Sequence, residues 1–133
     1  MKDVKMKNSG FSLIELIVVV AVIGILTTIA IMSYQSYIYK SRRVEAKSAL
    51  YQTSQELQRC MSQFGGYTSS LGCSVDDNLP KMTENDFYQI TANINQNSYT
   101  ITATPQNSQQ NDSECPSLTI NNFGERGGND GCW

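Results

Sequence analysis

Gly10-Phe11-Ser12-Leu13-Ile14-Glu15-Leu16, continued by Ile17-Val18-Val19-Val20-Ala21-Val22-Ile23-Gly24-Ile25-Leu26, opens an apolar run that extends to Met32 and holds one charge, Glu15. Roughly 20 apolar residues at about 1.5 Å each cover the hydrocarbon core of a bilayer, so the run is long enough to cross a membrane as helix. A carboxylate at the bilayer centre costs on the order of 3 kcal/mol; one a turn from the start of the run costs less, but still something. Glu15 therefore calls for a partner.

Ahead of the run, Lys2, Lys5 and Lys7 stand against Asp3, a positive flank that is expected to stay cytoplasmic and send the rest of the chain outward. Nothing like Ala-x-Ala follows the run. Ser33-Tyr34-Gln35 continues directly into polar helix, so the apolar segment is expected to be kept. A cut between Gly10 and Phe11 would instead free an amine four residues before Glu15, on the same helical face.

These residues resemble the class III signal of type IV prepilins: a small residue, an aromatic, an apolar triplet interrupted by Glu, then an uninterrupted apolar helix. The similarity continues through Ile29-Ala30-Ile31 and Ser33-Tyr34-Gln35-Ser36-Tyr37 to Ser41-Arg42-Arg43. The resemblance implies that a prepilin peptidase cuts after Gly10 and N-methylates Phe11, and that Glu15 neutralises the N-terminus of a neighbouring subunit during assembly. It also implies as partners other pilin subunits through the N-terminal helix, the peptidase, an inner-membrane assembly platform and the inner membrane. Each charge of a buried pair carries a desolvation cost of several kcal/mol that only good geometry offsets. Glu15 is thus expected to fix register more than to add stability; the plainer alternative is that it snorkels to the interface. Gly24 costs about 1 kcal/mol relative to Ala within a helix, which close helix approach can offset. Where the family usually has proline this chain has Met32, which removes the usual reason for a kink.

Tyr34, Tyr37 and Tyr39 suit the headgroup region, and Lys40, Arg42 and Arg43 are expected beyond it on a solvated helix face. From Val44 onward Ala46, Leu50, Thr53, Leu57, Met61 and Phe64 recur every three or four residues, an amphipathic half-helix that Gly65-Gly66 ends. Tyr67 to Glu84 reads as a connecting loop with one short turn. Tyr88, Ile90, Ala92 and Ile94, then Tyr99, Ile101 and Ala103, alternate with polar residues around an Asn95-Gln96-Asn97 turn, which reads as a β-hairpin. A polar loop from Pro105 to Glu114 leads to a strand near Leu118 to Ile120, and the glycine-dense tail from Asn122 reads as irregular.

The expected fold class is α+β with type IV pilin architecture: a long helix, part membrane-spanning and part amphipathic, on a small antiparallel sheet with a disulfide-closed C-terminal region. The expected division is a leader at 1–10, an assembly helix at 11–33, the amphipathic half at 34–64, and loop, sheet and C-terminal region at 65–133. So small a head calls for covalent support. Cys60, Cys73, Cys115 and Cys132 allow three connectivities, of which pairing in sequence order, Cys60 with Cys73 and Cys115 with Cys132, is the one expected. Each such loop adds roughly 3 kcal/mol in the chain-entropy model. With no histidine and no Cys-x-x-Cys, neither a metal site nor a cofactor is expected.

The ending Asn122 to Gly131, Cys132 and Trp133 resembles the C-terminus of PilE-like minor pilins, many of which finish in Cys-Trp after a glycine-rich stretch. Trp133 is expected to pack on the sheet. From Val44 onward ten Asp and Glu face four Lys and Arg, near minus 6, so DNA binding by this subunit alone is disfavoured. No catalytic constellation is present, and no enzymatic activity is expected. Asp76-Asp77 with Asp86 could hold calcium but read as solvation, and the Asn- and Gln-rich segments Asn93 to Asn97 and Gln106 to Asn111 read as surface loops. The resemblance implies a minor pilus subunit on the cell surface serving adhesion, twitching motility or DNA uptake; the alternative is a pseudopilin of a type II secretion apparatus.

Overall fold

The computed structural model describes residues 10–133. All of the expected leader except Gly10 therefore lies outside the described residues. The chain divides into two compact units, one ending at Ser36 and the other running from Tyr37 to Trp133.

Helix α1, Leu13–Phe64, contributes to both, and its helical hydrogen bonding is unbroken through Gly24 and Met32. In the first unit it is the one helix among the described residues long and apolar enough to cross a membrane, with a mean hydropathy of 2.8 over its most apolar 18 residues. No atom lies within contact distance of a Cβ built on Gly24, so that glycine is open to close approach by another helix.

In the second unit the helix places Ala46, Leu50, Thr53 and Leu57 wholly out of solvent. Residues spaced three or four apart share a helical face, and this face is the apolar one. Phe64, read with that stripe, is instead half exposed, because it falls on the last helical turn. Gly65 follows in the left-handed region (φ +75°), and its N–H donates to the Met61 carbonyl at 3.0 Å, a conformation glycine adopts without Cβ strain.

The sheet is antiparallel in the order β1 (Lys81–Met82), β2 (Tyr88–Ile94), β3 (Tyr99–Pro105), β4 (Leu118–Asn121) and β5 (Arg126–Gly127). In the central hairpin Ile94 opposes Tyr99, Ala92 opposes Ile101 and Ile90 opposes Ala103. Alternation sends Tyr88, Ile90, Tyr99, Ile101, Ala103, Leu118 and Ile120 into one core with the helical stripe. Tyr67 meets Tyr99 edge to face at 4.8 Å, and the Tyr99 hydroxyl bonds Ser54 and Gln58 of the helix.

Three local expectations are corrected. The connection from Tyr67 to Glu84 contains two 3-10 turns, Ser69–Leu71 and Asp76–Asn78, and strand β1. The tail is not wholly irregular: Gly127 pairs with Thr119, and a side chain at 127 would collide with the Thr119 hydroxyl. The glycine that hid the strand is what lets it pair. Third, Arg43 is not on a solvated face and Gln109 is not on a surface loop; both are buried.

Candidate assembly site and head contacts

At the start of α1 the Glu15 backbone N–H donates to Ser12 Oγ at 3.3 Å, while the Ser12 N–H points at Glu15 Oε2 at 3.5 Å. This reciprocal arrangement is a capping box, which satisfies two of the four donors that a helix N-terminus leaves open. Its sequence signal is Ser12-x-x-Glu15 ahead of an apolar run. Gly10, Phe11, Ser12 and Glu15 are all exposed, so the carboxylate reaches solvent or a neighbour as well as its own backbone. Thr27 and Thr28 turn their hydroxyls back onto the carbonyls of Ile23 and Ile25, which removes two polar groups from the apolar surface.

In the second unit the strongest electrostatic feature is Arg43. Its Nε donates to Asp112 Oδ2 at 2.7 Å and its Nη2 to Asp112 Oδ1 at 2.6 Å, a bidentate pair with both side chains at most 4% exposed. Nη2 also reaches Glu114 at 2.9 Å. The hydrogen bond to Asp112 holds the guanidinium pKa above its ordinary value against the opposing effect of burial. Gln109 donates to Asp112 at 3.0 Å and to the Tyr88 hydroxyl at 2.9 Å. Burial raises the Tyr88 pKa above that of an ordinary tyrosine. The network ties the helix to the segment that precedes Cys115.

Cys115 bonds Cys132 and Cys60 bonds Cys73, with Cα separations of 5.7 and 5.4 Å. Beside the first bridge Trp133 packs half-buried, its indole N–H donating to the Gly127 carbonyl at 2.8 Å and its ring meeting Tyr51 edge to face at 5.9 Å. The Arg126 guanidinium lies 5.5 Å from the Trp133 ring centre and 5.7 Å from that of Tyr51. A cation over aromatic faces is stabilised by their quadrupoles.

Residues 32–119 match the family described as "Type IV minor pilin ComP, DNA uptake sequence receptor", and residues 5–31 match the prokaryotic N-terminal methylation motif. The chain belongs to the type IV pilin family. Among its relatives are fimbrial protein Q of Moraxella bovis, 43% identical over 72 residues, which are 53% of this chain and 43% of that one. Type IV major fimbrial protein FimA of Dichelobacter nodosus is 44% identical over 57 residues, 43% of this chain and 36% of its own length. The pilin thus spans less than half the length of these relatives. A type IV pilin structure from Shewanella oneidensis shares the fold, with a TM-score of 0.56 and 22% identity over 71% of this chain and 97% of that one.

The pilin's expected site residues are therefore distributed, not gathered. Gly10, Phe11 and Glu15 belong to the first unit and the four cysteines to the second. Asp76, Asp77 and Asp86 are not assembled: among the described residues no three acidic or cysteine side chains converge on a point that could hold a metal ion. Sequence reading missed Ser12, and it missed Arg43 and Asp112 because residues 69 apart give no local signal of pairing.

Proposed function

We propose that this pilin is a minor subunit of a type IV pilus. In this reading it enters the inner membrane with its N-terminus cytoplasmic and its head periplasmic, is cut by prepilin peptidase after Gly10, and is methylated on Phe11. The assembly platform then draws it into the filament as Glu15 leaves its capping role and pairs with the amine of a neighbour. The observation that carries the reading is that the minor-pilin match lies over the head, 32–119, and not only over the shared N-terminal motif.

For the finer role we infer a part in DNA uptake within the filament, which the description of the matching family supports. Head charge argues against capture of DNA by this subunit alone. Ten acidic residues against four basic ones from Val44 onward repel phosphate at long range, so any contact is local and involves few phosphates. Such binding would have a shallow salt dependence.

The test is deletion of the gene and its replacement by wild type or Glu15→Ala, with surface pili and DNA transformation counted. Wild type restores both, and Glu15→Ala restores neither. Unchanged piliation with a secretion defect would identify a pseudopilin instead. Native protein whose mass still includes residues 1–10 would overturn the processing step.

A further inference from the structure

Of the four Lys and Arg from Val44 onward, Lys81 pairs with Glu56 at 3.8 Å, Arg126 lies over the Tyr51 and Trp133 rings, and Lys47 is half-buried. Arg59 is exposed and takes part in no hydrogen bond, ion pair or ring contact among the described residues. It stands in the middle of a stripe. Gln55, Arg59 and Gln63 follow one another at four-residue spacing along the last turns of α1, so their side chains share one face. Both glutamines are exposed, and neither side chain is hydrogen-bonded among the described residues. With Ser54, Gln58 and Ser62 the three line a shallow depression of about 400 Å³. No acid lines it. Within the head α1 carries two acids, and both are held on its other flank, Glu45 by Asn85 and Glu56 by Lys81 of β1.

A head with ten acidic residues against four basic ones thus leaves an open guanidinium where no carboxylate competes for it, between two amides that keep all of their hydrogen-bonding groups open. This set of groups suits base edges better than phosphates. One cation neutralises one phosphate at most, too few for binding through the backbone of DNA. In the major groove, by contrast, Arg pairs bidentately with O6 and N7 of guanine and Gln with N6 and N7 of adenine, and the groove, about 12 Å wide, admits an α-helix. Four residues advance a helix by about 6 Å, close to two base-pair steps of about 3.4 Å each.

We propose that the Gln55–Arg59–Gln63 stripe of α1 enters the major groove of duplex DNA, with Arg59 on a G·C pair and each glutamine on an A·T pair about two steps to either side. Such a contact specifies sequence and adds almost no long-range attraction, as the charge of the head requires. The proposal rests on the DNA-uptake reading above and gives that reading its local contact.

The test offers the full chain, in phosphatidylcholine nanodiscs at about 0.15 M salt, a pool of duplexes with a randomised centre, and sequences those retained. The expected enrichment is a G·C pair with A·T pairs about two steps away on both sides. On the enriched duplex Arg59→Ala should weaken binding about tenfold and flatten the preference at the G·C position, with the salt dependence and the melting temperature unchanged. Gln55→Ala and Gln63→Ala should each relax the preference on one side only. Arg59→Ala that binds as wild type, or a pool retained without sequence preference, overturns the proposal. So does uniform weakening across sequences with a salt slope reduced by about one, which marks a phosphate contact. The DNA-uptake reading fails on a separate measurement: deletion of the gene would then leave transformation unchanged, whatever the duplexes show.

Discussion

From Leu13 to Ile31 the large apolar side chains of α1 are between 48 and 77% exposed, whereas Leu50, Leu57, Ile90, Ile101 and Leu118 of the head are wholly buried. The two units contain the same kinds of residue and differ in what completes them. The head closes its own core, pairs its buried charge and crosslinks its loops. The apolar half-helix finds no such completion within the described residues, and its surroundings, lipid or other helices, must come from outside. Substitutions in the first unit should therefore change assembly without changing head stability. Substitutions in the second should do the reverse.

The largest separation is expected from Glu15→Ala. It should abolish incorporation into pili while the detergent-solubilised chain melts within about 1 °C of wild type, since an exposed cap residue contributes little to the head. A lowered melting temperature would break the comparison. Arg43→Ala is the counterpart. Leaving Asp112 buried and unpaired should cost about 3–5 kcal/mol, read as a fall in melting temperature of about 10 °C or more. Replacing both partners, Arg43→Met with Asp112→Leu, should recover most of that loss, because no uncompensated charge remains. Next in size, removing the 17-residue bridge with Cys115→Ser and Cys132→Ser should cost about 3 kcal/mol, seen as a lower urea midpoint; reducing agent, which opens both bridges, should lower the wild-type midpoint at least as far.

How much of this was legible in the sequence follows the same division. Glu15 and the Gly10-Phe11 junction lie within a few residues of each other, and the hairpin from Tyr88 to Ala103 declares itself by alternation. The family and its α+β architecture could be read from such short-range patterns together with the Cys-Trp ending. What escaped was set by distance or by exception. Arg43 looks like any exposed helical cation until the fold brings Asp112 to it, and Gln109 looks like loop until Tyr88 and Asp112 accept its hydrogens. Strand β5 is hidden by a glycine that only the Thr119 side chain across the ladder explains. Ser12 is legible as well, since Ser-x-x-Glu ahead of an apolar run is a local pattern.

The smallest effect sharpens the comparison through one acid of the head. Burial alone would raise the Glu45 pKa, but hydrogen bonds from Thr83 and Asn85 outweigh it and hold the carboxyl below the ordinary range; Asn85 Nδ2 reaches Glu45 Oε2 at 2.8 Å. A carboxyl whose folded pKa is depressed adds stability above its unfolded pKa of about 4.3, and that stability is lost as pH falls through the folded value. Glu45→Gln should therefore melt slightly lower than wild type at pH 7, and the two curves should converge as pH drops through the carboxylate range. A constant Glu45→Gln difference across pH would mean that shape, not charge, is what Asn85 recognises.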